Sequence, residues 1–212
     1  MPSLRSICVG LLLTPCLQLS TAALVGECTV PEEPTPTLPN DVALPTTTLA
    51  LKYVLIGRGT QNYTCAAPSE SPVAIGAIAT LYNATALAST SPEILHASPS
   101  IVVTQPVPHY PSGLSIAAQH LEPVGEHFFD SAGIPVFVLP AVEEILYAAK
   151  AAEVAAPGAD GAVDWLYLTA RPDYSSVGLG AAYRVETAGG KAACDEAGAQ
   201  QVDYAAEYWF FG

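Results

Sequence analysis

The chain has 212 residues, with 7 Lys and Arg against 20 Asp and Glu, and a formal net charge of −13 at pH 7. This acidity, without any basic cluster, excludes nucleic acid and anionic membrane surfaces as expected partners, because both would repel the chain. Half of the residues are apolar and 13% are charged, so one sizeable core and a single domain are expected.

The N-terminus has the pattern of a secretory signal peptide over residues 1–22. Arg5 precedes an apolar run at 7–13, and small residues follow at 20–23. The run is too short to cross about 30 Å of hydrocarbon, and no later stretch approaches the roughly 20 apolar residues of a membrane span. We therefore expect a secreted, extracellular protein without a membrane span.

Residues 23–48 form a predicted Pro/Thr-rich arm ahead of a β domain at 49–212. The arm is rich in prolines, which lack the N–H that a β-ladder needs and favour extended polyproline conformations. Alternation at 49–56 then predicts a strand. The glycines of Gly57-Arg58-Gly59 predict a turn, and 61–65 resumes in extended form, which together indicate a first hairpin.

Further strands are predicted by β-branched or alternating segments, at 73–81, 101–104, 163–169, 179–187 and 205–211. The region between the first two of these is loop-like. A second hairpin is predicted within 126–139, where Gly133 takes the left-handed conformation that a tight connection requires.

Alanines and apolar spacing predict one short helix at 141–156. The whole pattern indicates an all-β or mostly β single-domain sandwich or barrel of roughly eight strands, with at most one short helix.

The chain has five cysteines, of which Cys8 and Cys16 lie in the signal peptide. The remaining three, Cys28, Cys65 and Cys194, allow one disulfide with three alternative pairings. We favour Cys65 with Cys194, because both lie near predicted strands. A three-cysteine metal site is the rival interpretation, but no C-x-x-C pair supports it, and we expect no metal and no cofactor.

Asn62 and Asn83 each begin an Asn-x-Thr acceptor for N-linked glycans. A glycan and a disulfide both belong outside the cell, so these features agree with the signal peptide.

Several motifs in a fixed order carry a family resemblance: GRGTQNYTC, VGEHFFDSAGIPVF, DWLYLTA, YRVETAGG, Cys194-Asp195 and YAAEYWFF. From Leu49 to the C-terminus the chain resembles the DUF3455 family of secreted fungal and bacterial proteins of unknown function. The resemblance implies the pair of Cys65 with Cys194 and an extended chain at 141–156, against the predicted helix. Some fungal members carry a malate dehydrogenase label, which this sequence does not support, because Gly57-x-Gly59 lacks the third glycine of a dinucleotide fingerprint.

Histidines and carboxylates accumulate in one region, which contains His109, His120, Glu122, Glu126, His127 and Asp130. The candidate catalytic residues among them are His127, His120, Glu122 and Asp130. Their spacing matches no H-E-x-x-H or H-x-H motif. The interpretation we favour is a hydrogen-bonded His127 at a strand end and two solvated loop histidines. Asp130 is better explained by a turn than by a protease motif.

Aromatic residues suggest a different kind of site, a carbohydrate platform formed by Trp165, Tyr167 and Trp209. Because neighbouring residues of a strand face opposite sides, at least half of the C-terminal aromatic cluster is expected in the core.

Two functions therefore follow as hypotheses. The first is a secreted binding or interaction module at the cell wall or host surface, with a glycan or protein as partner. The second is an extracellular enzyme that uses His120, Glu122 and His127. A purely structural role is a third interpretation, and the oligomeric state is left open.

Overall fold

A computed structural model describes residues 36–39, 43–107, 112–158 and 160–212. The predicted signal peptide, most of the Pro/Thr-rich arm, Cys28 and His109 lie outside these residues.

Ten strands, two short helices and one 3₁₀ turn make up the described chain. The strands are β1 (Leu51–Cys65), β2 (Val73–Asn83), β3 (Leu114–Ile116), β4 (Gln119–Leu121), β5 (Pro123–Phe129), β6 (Pro135–Leu139), β7 (Glu144–Val154), β8 (Trp165–Ala170), β9 (Ala181–Gly189) and β10 (Gly198–Phe211). The helices are α1 (Thr85–Thr90) and α2 (Pro92–Val102), and the 3₁₀ turn is Pro140–Val142. Neither helix is long and apolar enough to cross a bilayer.

Eight of the strands close into an antiparallel barrel in the order β1-β10-β9-β8-β7-β6-β5-β2, while β3 and β4 form a separate two-stranded sheet. The predicted mostly β class with roughly eight strands is thus confirmed, and the alternative of a barrel is the one realised. Closure leaves no open edge along the main ladder, which removes the tendency of exposed strands to pair with other chains.

Alternation along the strands divides the apolar side chains into two clusters. One fills the barrel interior with residues of β1, β2, β6, β7, β8, β9 and β10, including Leu81, Phe137 and Phe210. The other lies on the outer wall, where Leu95 and Val102 of α2 pack against the barrel. The helices therefore cover the outside of the barrel and leave its interior to the strands.

Gly57 and Gly59 do not form the predicted turn, because β1 runs without interruption from Leu51 to Cys65. A Cβ at Gly57 would lie 2.5 Å from the ring of Tyr208. At Gly59 it would overlap the backbone of Ile78 in β2. Both glycines therefore make room inside the barrel. The first hairpin is instead β1 with β2, paired from Leu55↔Asn83 to Thr64↔Val73.

The predicted helix at 141–156 is wrong, since most of that segment is β7, paired with β6 and β8. Helix preferences of alanine amount to under about 1 kcal/mol per residue, and two ladders of hydrogen bonds outweigh them here. The predicted strand at 101–104 is also wrong, because Val102 ends α2. Pro92 stands in the first turn of α2, where its missing N–H costs nothing.

Two charged side chains are fully buried on the outer wall beneath α2. Arg58 bonds the carbonyls of Gly59 at 2.7 Å and Gln105 at 2.7 Å. Glu207 accepts from the indole N–H of Trp209 at 2.9 Å and lies 2.9 Å from Nδ1 of His96. The hydrogen bond to Glu207 raises the pKa of His96 above its ordinary value.

The predicted disulfide between Cys65 and Cys194 is present and joins positions 129 residues apart. Cys65 is the last residue of β1 and pairs in register with Gly198, the first residue of β10. The disulfide thus links β1 and β10 at one end of their ladder. At that end β10 pairs with β1 alone, because its pairing with β9 begins only at Tyr204.

Candidate functional site

One end of the barrel is open and lined by side chains from seven strands. We call it the barrel mouth. It consists of an outer basin of about 390 Å³ and a smaller inner cavity of about 50 Å³ below it. Six residues line both: Gln61, Phe129, Pro135, Leu166, Leu168 and Arg184. Eight-stranded barrels can hold one small ligand, so these two adjoining spaces are the candidate site.

His127 faces the inner cavity from β5 and is only 4% exposed. Its ring stacks on Phe137 with centroids 4.1 Å apart. Nδ1 lies 2.9 Å from the carbonyl oxygen of Val136, and a carbonyl only accepts, so Nδ1 carries the proton. Burial lowers the pKa of His127 to about 4 despite that hydrogen bond. The neutral ring therefore presents Nε2 as an acceptor.

Two tyrosine hydroxyls lie deeper in the barrel. The hydroxyls of Tyr204 and Tyr208 are 3.1 Å apart, and Tyr208 lines the inner cavity. Burial raises the pKa of both, for Tyr204 well above the ordinary value. Both side chains are therefore neutral, and they supply hydroxyl groups without negative charge.

Gln61 supplies an unpaired polar group to the site. Its side chain is 8% exposed and lines both the basin and the cavity. Within the part of the chain that the structure describes, its Nε2 is buried without a hydrogen-bond partner. An unsatisfied buried donor costs about 1–3 kcal/mol, so a bound acceptor would stabilise it.

Three basic side chains, of the seven Lys and Arg in the sequence, surround the outer basin: Lys150, Arg184 and Lys191. Lys150 pairs with Glu153 at 2.6 Å and Lys191 with Asp164 at 3.2 Å. Arg184 donates from Nε and Nη2 to the carbonyl of Asp164 at 3.2 and 2.8 Å. The mouth is therefore locally basic in an acidic protein.

The structure separates the histidines that the sequence grouped. His127 lies inside the barrel, whereas His120 is on the outer surface with its side chain 60% exposed, 3.4 Å from Glu122. His120 and Glu122 border a groove beside α1 that also includes Asn83. Asp130 closes the turn between β5 and β6, since its Oδ1 accepts from the backbone N–H of Ala132 and Ile134 at 2.9 Å each. These candidates do not form one constellation.

Trp165 and Trp209 are 5% and 1% exposed and belong to the outer-wall core. Tyr167 packs against Tyr183 with ring centroids 4.7 Å apart. A sugar platform needs an exposed aromatic face, which buried tryptophans do not offer. In this structure the two tryptophan rings pack in the outer-wall core, and carbohydrate binding by these three residues stays a prediction.

No three His, Cys, Asp or Glu side chains come together as a metal site within the described ranges. Sequence reasoning named His127 but overlooked Gln61 and Arg184 of the mouth. Two signals could have indicated them: Arg184 stands between the apolar Tyr183 and Val185 of its strand, and Gln61 shares the inward face of β1 with Gly57 and Gly59.

Comparison with known families adds the identity of the chain. A family described as a protein of unknown function, DUF3455, matches residues 45–212. The chain belongs to the DUF3455 family. No curated protein and no solved structure matches it. The DUF3455 description carries no activity.

Proposed function

We propose that this DUF3455 protein is a secreted binding protein that holds a small ligand in the barrel mouth. The observation that carries the proposal is the adjoining basin and cavity, both lined by Gln61, whose buried Nε2 has no partner among the described residues. Small-molecule sites are concave, mostly apolar and furnished with a few polar groups, and the mouth has this composition.

The ligand would contact three kinds of surface. Phe129, Leu166 and Leu168 offer apolar contacts, and Gln61 and Arg184 offer donors. His127 and Tyr208 sit at the bottom of the cavity, where an acceptor and a hydroxyl select the buried end of the ligand. Burial of the apolar part contributes roughly 25 cal/mol per Å² of surface removed from water.

Ligand binding should shift NMR resonances of Gln61 and His127 when the mature protein is screened against a small-molecule library of mixed charge. Ala74→Trp places a bulky ring in the outer basin, and we expect it to weaken binding at least tenfold. Ala141→Trp, an exposed site in the 3₁₀ turn, is the matched control and should bind like the wild type. Equal binding by the Ala74→Trp variant, or no hit in the library, would contradict the proposal.

Action outside the cell, at the cell wall or host surface, is the second part of the proposal. The disulfide and the sequons support it. Asn83 is exposed, and Asn62 is half-buried in β1, paired with Gly76 of β2. The exposed Val73 and Ile78 lie on the same strand as Gly76, so a glycan on Asn62 would cover apolar surface.

Protein secreted by a eukaryotic host should lose mass on treatment with peptide N-glycosidase. Asn62→Gln and Asn83→Gln should each remove one glycan from the total, since each sequon is an independent acceptor. An unchanged mass in the wild type would count against this part of the proposal without bearing on the barrel mouth.

A further inference from the structure

The charge of the mouth restricts the class of ligand. Lys150, Arg184 and Lys191 face Glu153 and Asp164 there, so three cations against two carboxylates leave one net positive charge. A singly charged anion neutralises this excess, whereas a dianion would exceed it.

The hydrogen-bonding groups point to the same class. Both carboxylates of the basin are engaged by lysines, and the carbonyl of Asp164 is taken by Arg184. Two groups of donors face the site: the buried Nε2 of Gln61, which is left without a partner, and the N–H groups of Arg184 beyond the two that bond Asp164. An acceptor-rich ligand group satisfies them, and a planar carboxylate matches the fork of a guanidinium.

The walls of the mouth indicate the chemistry of the rest of the ligand. Phe129, Pro135, Leu166 and Leu168 line both compartments and present apolar surface. The outer basin of about 390 Å³ lies within the range of small-molecule sites. A hydroxyl-rich sugar offers few apolar atoms to contact these walls.

From these observations we infer that the ligand is a small monocarboxylic acid with an apolar body, its carboxylate held by Arg184 and Gln61 and its body against Phe129, Leu166 and Leu168. This inference rests on the proposed binding function of the mouth and names the ligand class for it. The net charge of the whole chain repels anions, so recognition depends on these local groups.

Isothermal titration calorimetry of the mature protein tests the inference with 3-phenylpropionate and its uncharged counterpart 3-phenylpropan-1-ol. We expect the acid to bind at least tenfold more tightly than the alcohol. Arg184→Gln should weaken binding of the acid at least tenfold and leave the affinity for the alcohol unchanged. Arg171→Gln is the matched control, because Arg171 pairs with Asp173 away from the mouth, and it should change neither affinity.

Gln61→Leu provides a second variant in case Arg184→Gln does not fold, which circular dichroism would show. This variant removes the Nε2 donor of Gln61, and it should also weaken binding of the acid without changing the affinity for the alcohol. Inorganic phosphate and cellobiose serve as further probes and should bind more weakly than the acid.

Equal affinity for acid and alcohol, tighter binding of phosphate or cellobiose, or no binding of the acid would each overturn the carboxylate assignment. The library screen with the Ala74→Trp variant judges the binding function separately. Alcohol or cellobiose binding that is lost in Ala74→Trp would leave the mouth as a binding site for another ligand class.

Discussion

Replacing Cys65 and Cys194 together by alanine is expected to lower the free energy of unfolding by about 2–5 kcal/mol. The disulfide closes a loop across a separation of 129 residues, which spans nearly the whole barrel. Long loops lose the most conformational freedom on cross-linking, so the unfolded chain is destabilised strongly. The variant also frees the ends of β1 and β10, where β10 has no β9 partner.

Guanidinium unfolding followed by the fluorescence of the buried Trp165 and Trp209 measures this loss. Wild-type protein unfolded under reducing conditions should match the double variant, because both lack the same cross-link. A double variant with the midpoint of the oxidised wild type would show that the ladder between β1 and β10 suffices without the disulfide.

His127 is expected to make the barrel less stable as the pH falls from 7 to 4. Its pKa is about 4 in the folded protein and about 6.5 in the unfolded chain, so between these two pH values the unfolded state binds a proton that the folded state does not. A depressed folded pKa contributes stability that is lost as pH falls, here up to about 3 kcal/mol at 1.36 kcal/mol per unit. Tyr208, beside the ring, stays neutral because its pKa is raised.

His127→Asn isolates this effect, because the asparagine amide keeps an N–H donor for the Val136 carbonyl but does not titrate. The variant should lose most of the pH dependence between 4 and 6.5 in urea unfolding. His120→Asn, at an exposed histidine, should retain it. The same steep dependence in His127→Asn would assign the acid sensitivity to other groups.

The pKa of His96 is shifted in the opposite direction, so this residue does not explain a loss of stability at low pH. Its pKa is raised by Glu207, so its contribution is fully present below about 6.5 and fades as pH rises through the folded pKa. The change of stability with pH is therefore compared between wild type, His127→Asn and His120→Asn. A loss of stability on acidification that disappears only in His127→Asn belongs to His127 and not to the pair of His96 with Glu207.

Local patterns were sufficient for much of the fold. Period-two alternation identified most barrel strands, and Gly133, with φ of +76°, marked the turn between β5 and β6. The same reasoning failed at β7 and α2, where alanine content suggested a helix and β-branched residues suggested a strand. At β7, pairing with two neighbouring strands outweighed the helix preference of alanine. At α2, no strand of the described chain pairs with the segment, and its β-branched residues lie in a helix.

The candidate site was predictable only in part. His127 is among the candidate residues that the sequence indicated, and it lines the inner cavity. Gln61 and Arg184 were missed because a polar residue in an apolar context marks an unusual position but indicates no particular chemistry. Their role depends on which seven strands surround the open end.

By itself, the sequence determined the β class, the family and the favoured cysteine pair, because these depend on local periodicity, motif order and residue type. Only the tertiary structure decided that Gly57 and Gly59 make room inside a strand, that both tryptophans are packed away, and that donors converge at one mouth. Each of these follows from closing the barrel, which brings β1 against both β2 and the distant β10.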